Sequence, residues 1–193
     1  MKNRIIVTTC IALCLFVCTS CDIQRLLSPE AKPTVDSEST DLSEQKQIFT
    51  SSDNAYQIEV PREWERYEGE SGTISVTGGA GSVFFTVFIT DKEEWNLDLQ
   101  GLSDYCIDFY QDHEAYQDVV REPQVSLDVG GFPAIFTQLS FTSDSLNYYK
   151  YHYALETDTS YVRLVGELRK SKKDEYEPII KEIAASFKEV VQE

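Results

Sequence analysis

The chain has 193 residues, of which 41% are hydrophobic, which is enough for one domain with a buried core. This content excludes intrinsic disorder over the whole length, and a total of 9 Gly and 6 Pro excludes collagen-like and Pro-rich classes. The net charge of −16 counts against nucleic-acid binding, because phosphate groups would repel so acidic a chain.

The N-terminus has the pattern of a secretory signal peptide over residues 1–20. Lys2 and Arg4 precede an apolar run from Ile5 to Val17, and small residues follow it. The run is shorter than the roughly 20 apolar residues that a membrane-spanning helix needs. We therefore expect residues 1–20 to direct export and to be removed, and no other segment to span a membrane.

The end of this signal resembles the lipobox of bacterial lipoproteins. Thr19 and Ser20 stand directly before Cys21, although Cys18 occupies a position where that family usually has Leu. The resemblance implies that the signal is cut before Cys21 and that its thiol carries a diacylglyceryl group. Two acyl chains give stable membrane attachment, so the predicted location is the extracytoplasmic side of the cell membrane. Ordinary secretion or an uncleaved anchor is the alternative.

The rest of the chain divides into a spacer and a folded domain. Residues 21–46 begin with the lipidated cysteine and are rich in Ser, Thr, Asp, Glu and Pro, which predicts a flexible spacer. Residues 47–193 are predicted to form a single domain.

Cys106 is then the only thiol left in the domain, so no intramolecular disulfide is possible. Its place on an apolar helix face predicts a buried side chain.

The first half of the domain shows strand patterns followed by a helix. Strands are predicted at 56–60, 73–77 and 83–89, and the nearly continuous apolar run of the third is typical of a central strand covered on both faces. Residues 78–82 predict a hairpin turn rather than a phosphate-binding loop, because a strand follows them. A helix with Asp98 or Ser103 as its cap is predicted next. Its apolar face comprises Leu102, Tyr105, Cys106, Phe109, Tyr110 and His113.

The second half predicts an antiparallel meander and a closing helix. Strands are expected at 119–129, 134–142, 146–156 and 161–168, joined by short turns. Ser171 and Asp174 have the spacing of a capping box. The apolar stripe of the terminal helix comprises Tyr176, Ile179, Ile180, Ile183, Ala184, Phe187, Val190 and Val191. The predicted fold class is α+β, with an antiparallel β-sheet packed by a mid-chain helix and a C-terminal amphipathic helix.

Several of these features together resemble the PsbP/DcrB-like fold. The first strand runs into Val60-Pro61-Arg62-Glu63-Trp64, and a Gly131-Phe132-Pro133-Ala134 turn precedes the meander. This group includes a photosystem II extrinsic subunit and many bacterial lipoproteins. The resemblance implies shape and location but no single activity, and no functional residue is carried over from it.

The residues that could support catalysis or hold a cofactor form no recognisable motif. His113 and His152 lack metal-ligand spacing, and the acidic runs mix with Lys and Arg, so no metal and no cofactor are expected. No nucleophile motif occurs. The favoured function is a non-enzymatic binding or accessory domain of the cell envelope. The alternative is a lipid-anchored hydrolase whose site is formed only in the fold.

The segment 148–161 is rich in tyrosine, and its alternation gives two faces. One face, with Tyr149, Tyr151 and Tyr153, is suited to cover a helix. The other face carries Tyr148, Lys150 and His152. A structural role is favoured for the aromatic residues of this segment, and the alternative is that Tyr148, Lys150 and His152 form an exposed surface that binds an envelope protein or a small ligand.

Overall fold

A computed structural model describes residues 45–68, 73–95 and 97–190. The predicted signal peptide, Cys21 and nearly all of the predicted spacer lie outside these ranges. The described residues form one compact unit that contains its own hydrophobic core. This part therefore has the features of an independently folding domain.

Three strands form a small antiparallel sheet. β1 (Lys46–Thr50) pairs with β2 (Tyr56–Pro61), and β2 pairs on its other side with β11 (Lys188–Glu189). The sequence predicted β2 from its alternation of apolar and polar residues, and the structure buries the apolar ones, but the strands on either side of it were not predicted. β1 and β11 depend on hydrogen bonds to β2, and their own patterns are too weak to predict a strand.

The remaining strands form a larger sheet in the order β3-β4-β5-β10-β9-β8-β6, with β7 also pairing with β8. All pairings among the described residues are antiparallel. The strands are β3 (Glu65–Arg66), β4 (Ile74–Gly78), β5 (Val83–Asp91), β6 (Gln117–Arg121), β7 (Val125–Val129), β8 (Phe132–Ser143), β9 (Leu146–Glu156) and β10 (Ser160–Arg169). The predicted hairpin at 78–82 is confirmed by the β4–β5 pairing.

The single strand predicted over 119–129 is wrong. The chain forms β6 and β7 instead, and the break between them contains Pro123. Proline has no N–H group to donate to a neighbouring strand, and the pairing along β8 is interrupted between Arg121 and Val125.

Helix α1 (Leu99–Asp112) follows β5, and its N-cap is Asp98, whose carboxylate accepts a hydrogen bond from the Gly101 N–H at 2.7 Å. The predicted apolar face is only partly correct. Leu102, Cys106 and Tyr110 are buried, together with Ser103 and Ile107, whereas Tyr105, Phe109 and His113 are exposed. The helix is thus rotated relative to the prediction, because the strands beneath it contact only one side of its apolar stripe.

Helix α2 (Lys173–Ala185) begins and ends differently from the prediction. Ser171 lies in a short 3-10 turn (Lys170–Lys172), and the N-cap, Lys172, makes no capping hydrogen bond, so the predicted capping box is wrong. The helix also stops at Ala185 instead of continuing to Val191, which lies outside the described residues. Ser186 ends it, and its hydroxyl accepts a hydrogen bond from the Glu59 N–H at 2.8 Å, which directs the chain into β11.

The two helices cover opposite faces of the larger sheet. Ile180, Ile183 and Ala184 of α2 join the main core with Tyr151 and Tyr153 of β9. Successive residues of a strand point to opposite faces, and on the other face Ala154 packs with Leu102 and Cys106 of α1, while Leu139 packs with Ile107 and Tyr110. The α+β class with a mid-chain and a C-terminal helix is confirmed.

Close approach of α2 to β10 depends on Gly166. A Cβ atom at this position would lie 2.5 Å from Cγ2 of Ile180, which is inside van der Waals contact. The absence of a side chain therefore lets the helix pack directly on the strand backbone.

Candidate functional site

The predicted surface on β9 is not open to solvent. Lys150 is 5% exposed, His152 is fully buried, and Tyr148 is half-buried and stacked on Phe141. The prediction of exposure is wrong because α1 lies over this face of the sheet. A binding role for these residues stays a prediction. Whether a ligand could reach them depends on the space around Lys150.

Lys150 lines a cleft of about 590 Å³ between α1 and the part of the sheet that the helix leaves uncovered. Strands β5, β10 and β9 provide the floor, and α1 provides one wall. More than half of the residues that line the cleft are aromatic, including Phe84, Phe88, Trp95 and Tyr105. A concave, mainly aromatic site with a few polar groups is the usual form of a small-molecule site.

One end of the cleft contains an ion pair between a buried lysine and a partly exposed glutamate. Nζ of Lys150 lies 2.9 Å from Oε2 of Glu167 and 4.1 Å from the ring centroid of Tyr110. Burial lowers the pKa of Lys150, but its neighbours Tyr110 and Glu167 outweigh that effect, and the net pKa lies above the usual value for lysine. Lys150 is therefore a permanent cation whose charge is matched by Glu167.

The other end of the cleft contains Arg163. This residue lies four positions before Glu167 on β10, or about 13 Å along the strand. Its Cζ lies 4.5 Å from the ring centroid of Phe88, and Nη1 lies 3.8 Å from Sγ of Cys106. Among the described residues, no carboxylate lies within salt-bridge distance of Arg163.

Cys106 is buried, as predicted, and is not suited to nucleophilic chemistry. Its side chain is 3% exposed, and burial raises the pKa of its thiol even though Arg163 lies nearby. The thiolate is the reactive form of cysteine, so a raised pKa leaves the group inert.

His152 lies behind the cleft wall rather than in it. Neither ring nitrogen has a hydrogen-bond partner among the described residues, and the Oγ1 atom of Thr137, directly opposite on β8, has none either. Burial lowers the pKa of His152 to about 3, with further contributions from Arg163 and Lys150. The imidazole is therefore neutral at ordinary pH and does not line the space that a ligand would occupy.

The sequence did not predict the cleft, although one signal for it was present. The apolar run of β5 is typical of a strand covered on both faces. Phe85 and Val87 do face the main core, whereas Phe84 and Phe88 are half-buried and line the cleft. Large aromatic side chains on the second face of a strand indicate either a covering element or a binding site, and the pattern alone does not separate the two.

Two properties of the described residues bear on cofactors and membranes. In the ranges 45–68, 73–95 and 97–190, no group of three or more His, Cys, Asp or Glu side chains is placed to hold a metal ion. Neither α1 nor α2 has the length and apolar character that a bilayer crossing requires, and no other helix in the same ranges does.

No protein-family profile matches the chain, and no curated protein matches it. Several solved structures do match this chain. The cyanobacterial PsbP protein CyanoP from Synechocystis has a TM-score of 0.58 at 11% identity, covering 75% of this chain and 92% of its own. LpqN of Mycobacterium tuberculosis, which is involved in cell envelope biogenesis, has a TM-score of 0.55 at 10% identity, covering 76% and 91% respectively.

A protein from Bacteroides thetaiotaomicron has a TM-score of 0.51 at 12% identity, and the match covers 77% of this chain and 50% of that one. The chain therefore has a PsbP-like fold, as the sequence resemblance implied. Identities this low show the fold alone, so the function has to be argued from the cleft.

Proposed function

We propose that this chain is a membrane-tethered lipoprotein on the extracytoplasmic side of the cell membrane, whose PsbP-like domain is a non-enzymatic binding module of the envelope. The observation that carries the proposal is the aromatic cleft between α1 and the sheet. Its volume falls in the range of small-molecule sites, about 300–1,000 Å³. The lipobox resemblance at Cys21 and the envelope role of LpqN support the location.

Binding is favoured over hydrolysis by the polar groups of the cleft. Among the described residues that line it, Glu167 is the only carboxylate and is paired with Lys150. The Cys106 thiol is neutral, and His152 lies outside the cavity. Hydrolysis by side chains requires a nucleophile or a pair of acid and base groups within reach of one bond. The groups that line this cleft are instead suited to hold a ligand.

Replacing Cys21 by Ala is expected to abolish lipid labelling and to release the protein from the membrane fraction. The reason is that the thiol is the proposed acceptor of the diacylglyceryl group, and without acyl chains nothing in the described domain provides an anchor. Metabolic labelling with a radioactive or alkyne fatty acid measures this directly. Cys18→Ala is the matched control and should keep both the label and the membrane attachment, whereas a labelled C21A protein would contradict the anchor.

An uncharged fluorescent probe, phenylnaphthylamine, is expected to bind residues 40–193 in the cleft. The double substitution Tyr105→Ser and Phe109→Ser removes two exposed aromatic side chains from the cleft wall, so we expect about tenfold weaker binding. Fluorescence titration measures the affinity. The control Val120→Ser with Val125→Ser removes two equally exposed apolar side chains elsewhere and should leave it unchanged. Equal affinities in all three proteins would contradict the cleft as the binding site.

A further inference from the structure

We propose that the cleft binds a small organic anion with an aromatic body, and that the anionic group is held by Arg163. The inference rests on the proposed function, because it names the class of ligand for the same cleft. It is carried by the charges within the cavity, by the environment of the guanidinium and by the arrangement of the aromatic walls.

Among the described residues, the charged side chains of the cleft leave one cation without a carboxylate partner. The described part of its lining contains Lys150, Arg163 and Glu167 and no other charged side chain. Glu167 pairs with Lys150, so the positive charge of Arg163 is not balanced by any described residue. An arginine that lines a cavity and has no carboxylate within salt-bridge distance provides a local site for an anion.

The environment of Arg163 leaves its hydrogen-bonding edge available. The guanidinium stacks on Phe88, which occupies the face of the group, and the only acceptor recorded for it among the described side chains is Sγ of Cys106. A thioether or thiol sulphur is a weak acceptor, whereas guanidinium carries five N–H donors. Carboxylate, sulfonate and phosphate oxygens fit this edge with paired hydrogen bonds, and the stacked ring keeps the group oriented.

Aromatic rings that line the same cleft as Arg163 define the rest of the ligand. Trp95 packs edge-on against Tyr105 at 5.1 Å between ring centroids, and both line the cleft together with Phe88. Rings of this kind favour a flat aromatic partner through stacking and edge contacts. An inorganic anion alone would leave most of a cavity of about 590 Å³ unfilled, so the ligand requires an apolar body attached to the charge.

The test compares two probes of the same shape on residues 40–193. Anilinonaphthalene sulfonate carries an anionic group, and phenylnaphthylamine is its uncharged parent. We expect Arg163→Gln to weaken binding of the sulfonate about tenfold or more and to change the affinity for the uncharged probe by less than about twofold. Arg169→Gln replaces an exposed arginine on the same strand outside the cleft, and it should change neither affinity.

Two further measurements keep the result independent of folding defects. Thermal unfolding of R163Q shows whether the variant retains a cooperative fold. Raising the salt concentration should weaken the binding of the sulfonate probe to the unmodified protein and leave the binding of the uncharged probe unchanged. If R163Q binds the sulfonate as tightly as the unmodified protein does, or if salt affects both probes equally, the anion site is overturned. If the uncharged probe binds with the expected dependence on Tyr105 and Phe109, the proposed function still stands. If neither probe binds, both proposals fall.

Discussion

Replacing Ile183 by Asp is expected to remove most of the stability of the domain. Ile183 is 1% exposed and lies in the main core between α2 and the sheet. Loss of a buried isoleucine side chain costs about 2–5 kcal/mol, and an unpaired buried carboxylate adds to that cost. Because a domain is stable by only about 5–15 kcal/mol, the variant should unfold far below the transition of the unmodified protein.

Denaturant unfolding of residues 40–193, followed by circular dichroism, measures this change. The matched control is Ala185→Asp, which places the same carboxylate on the same helix at an exposed position. It should cost less than about 1 kcal/mol. Equal unfolding midpoints for the two variants would show that α2 does not dock on the sheet.

Replacing His152 by Leu is expected to reduce the loss of stability on acidification. The pKa of His152 is about 3 in the fold and about 6.5 in an unfolded chain, so the unfolded state binds the proton first. The contribution of neutral His152 is therefore complete above the unfolded pKa and is lost as pH falls from about 6.5 toward 3. Between pH 6.5 and 4 the loss amounts to about 3 kcal/mol, and H152L should not show it.

The free energy of unfolding, measured by denaturant titration across this pH range, gives the difference between variant and unmodified protein. Carboxylates titrate in the same range, but they are common to both proteins and cancel in the comparison. The other histidine of the chain, His113, is exposed at the end of α1 and provides the control, since His113→Gln should retain the pH dependence of the unmodified protein. The same pH slope in H152L would contradict a buried neutral imidazole at this position.

The order of the elements could be predicted from the sequence because it depends on local patterns. Alternation along β9 correctly assigned Tyr151 and Tyr153 to the face that α2 covers. The glycine turns at 78–82 and 130–131 bound strands that pair as hairpins, because their backbones adopt positive φ values that most residues avoid. Periodicity and turn chemistry act over a few residues, and a single sequence contains them in full.

The candidate site could not be predicted in the same way. The sequence placed Lys150 and His152 on one face of β9, which is correct, but it assigned that face to solvent. The helix that covers them was predicted at the right position in the chain, yet rotated, so that Tyr105 and Phe109 were expected in the core rather than at the cleft. Arg163 was not singled out, because its unpaired charge exists only relative to neighbours from other strands.

By itself, the sequence determined an α+β domain with its helices in the middle and near the end of the chain. The cysteine pattern near the N-terminus predicts a lipid anchor. Only the tertiary structure decided which sheet face α1 covers, how much of that face it leaves open, and which charges meet in the opening. Alternation shows that a strand has two faces, but not what lies on either of them. What lies on each face depends on contacts between residues far apart in the chain, such as Cys106 with Arg163, and local sequence patterns do not predict these contacts.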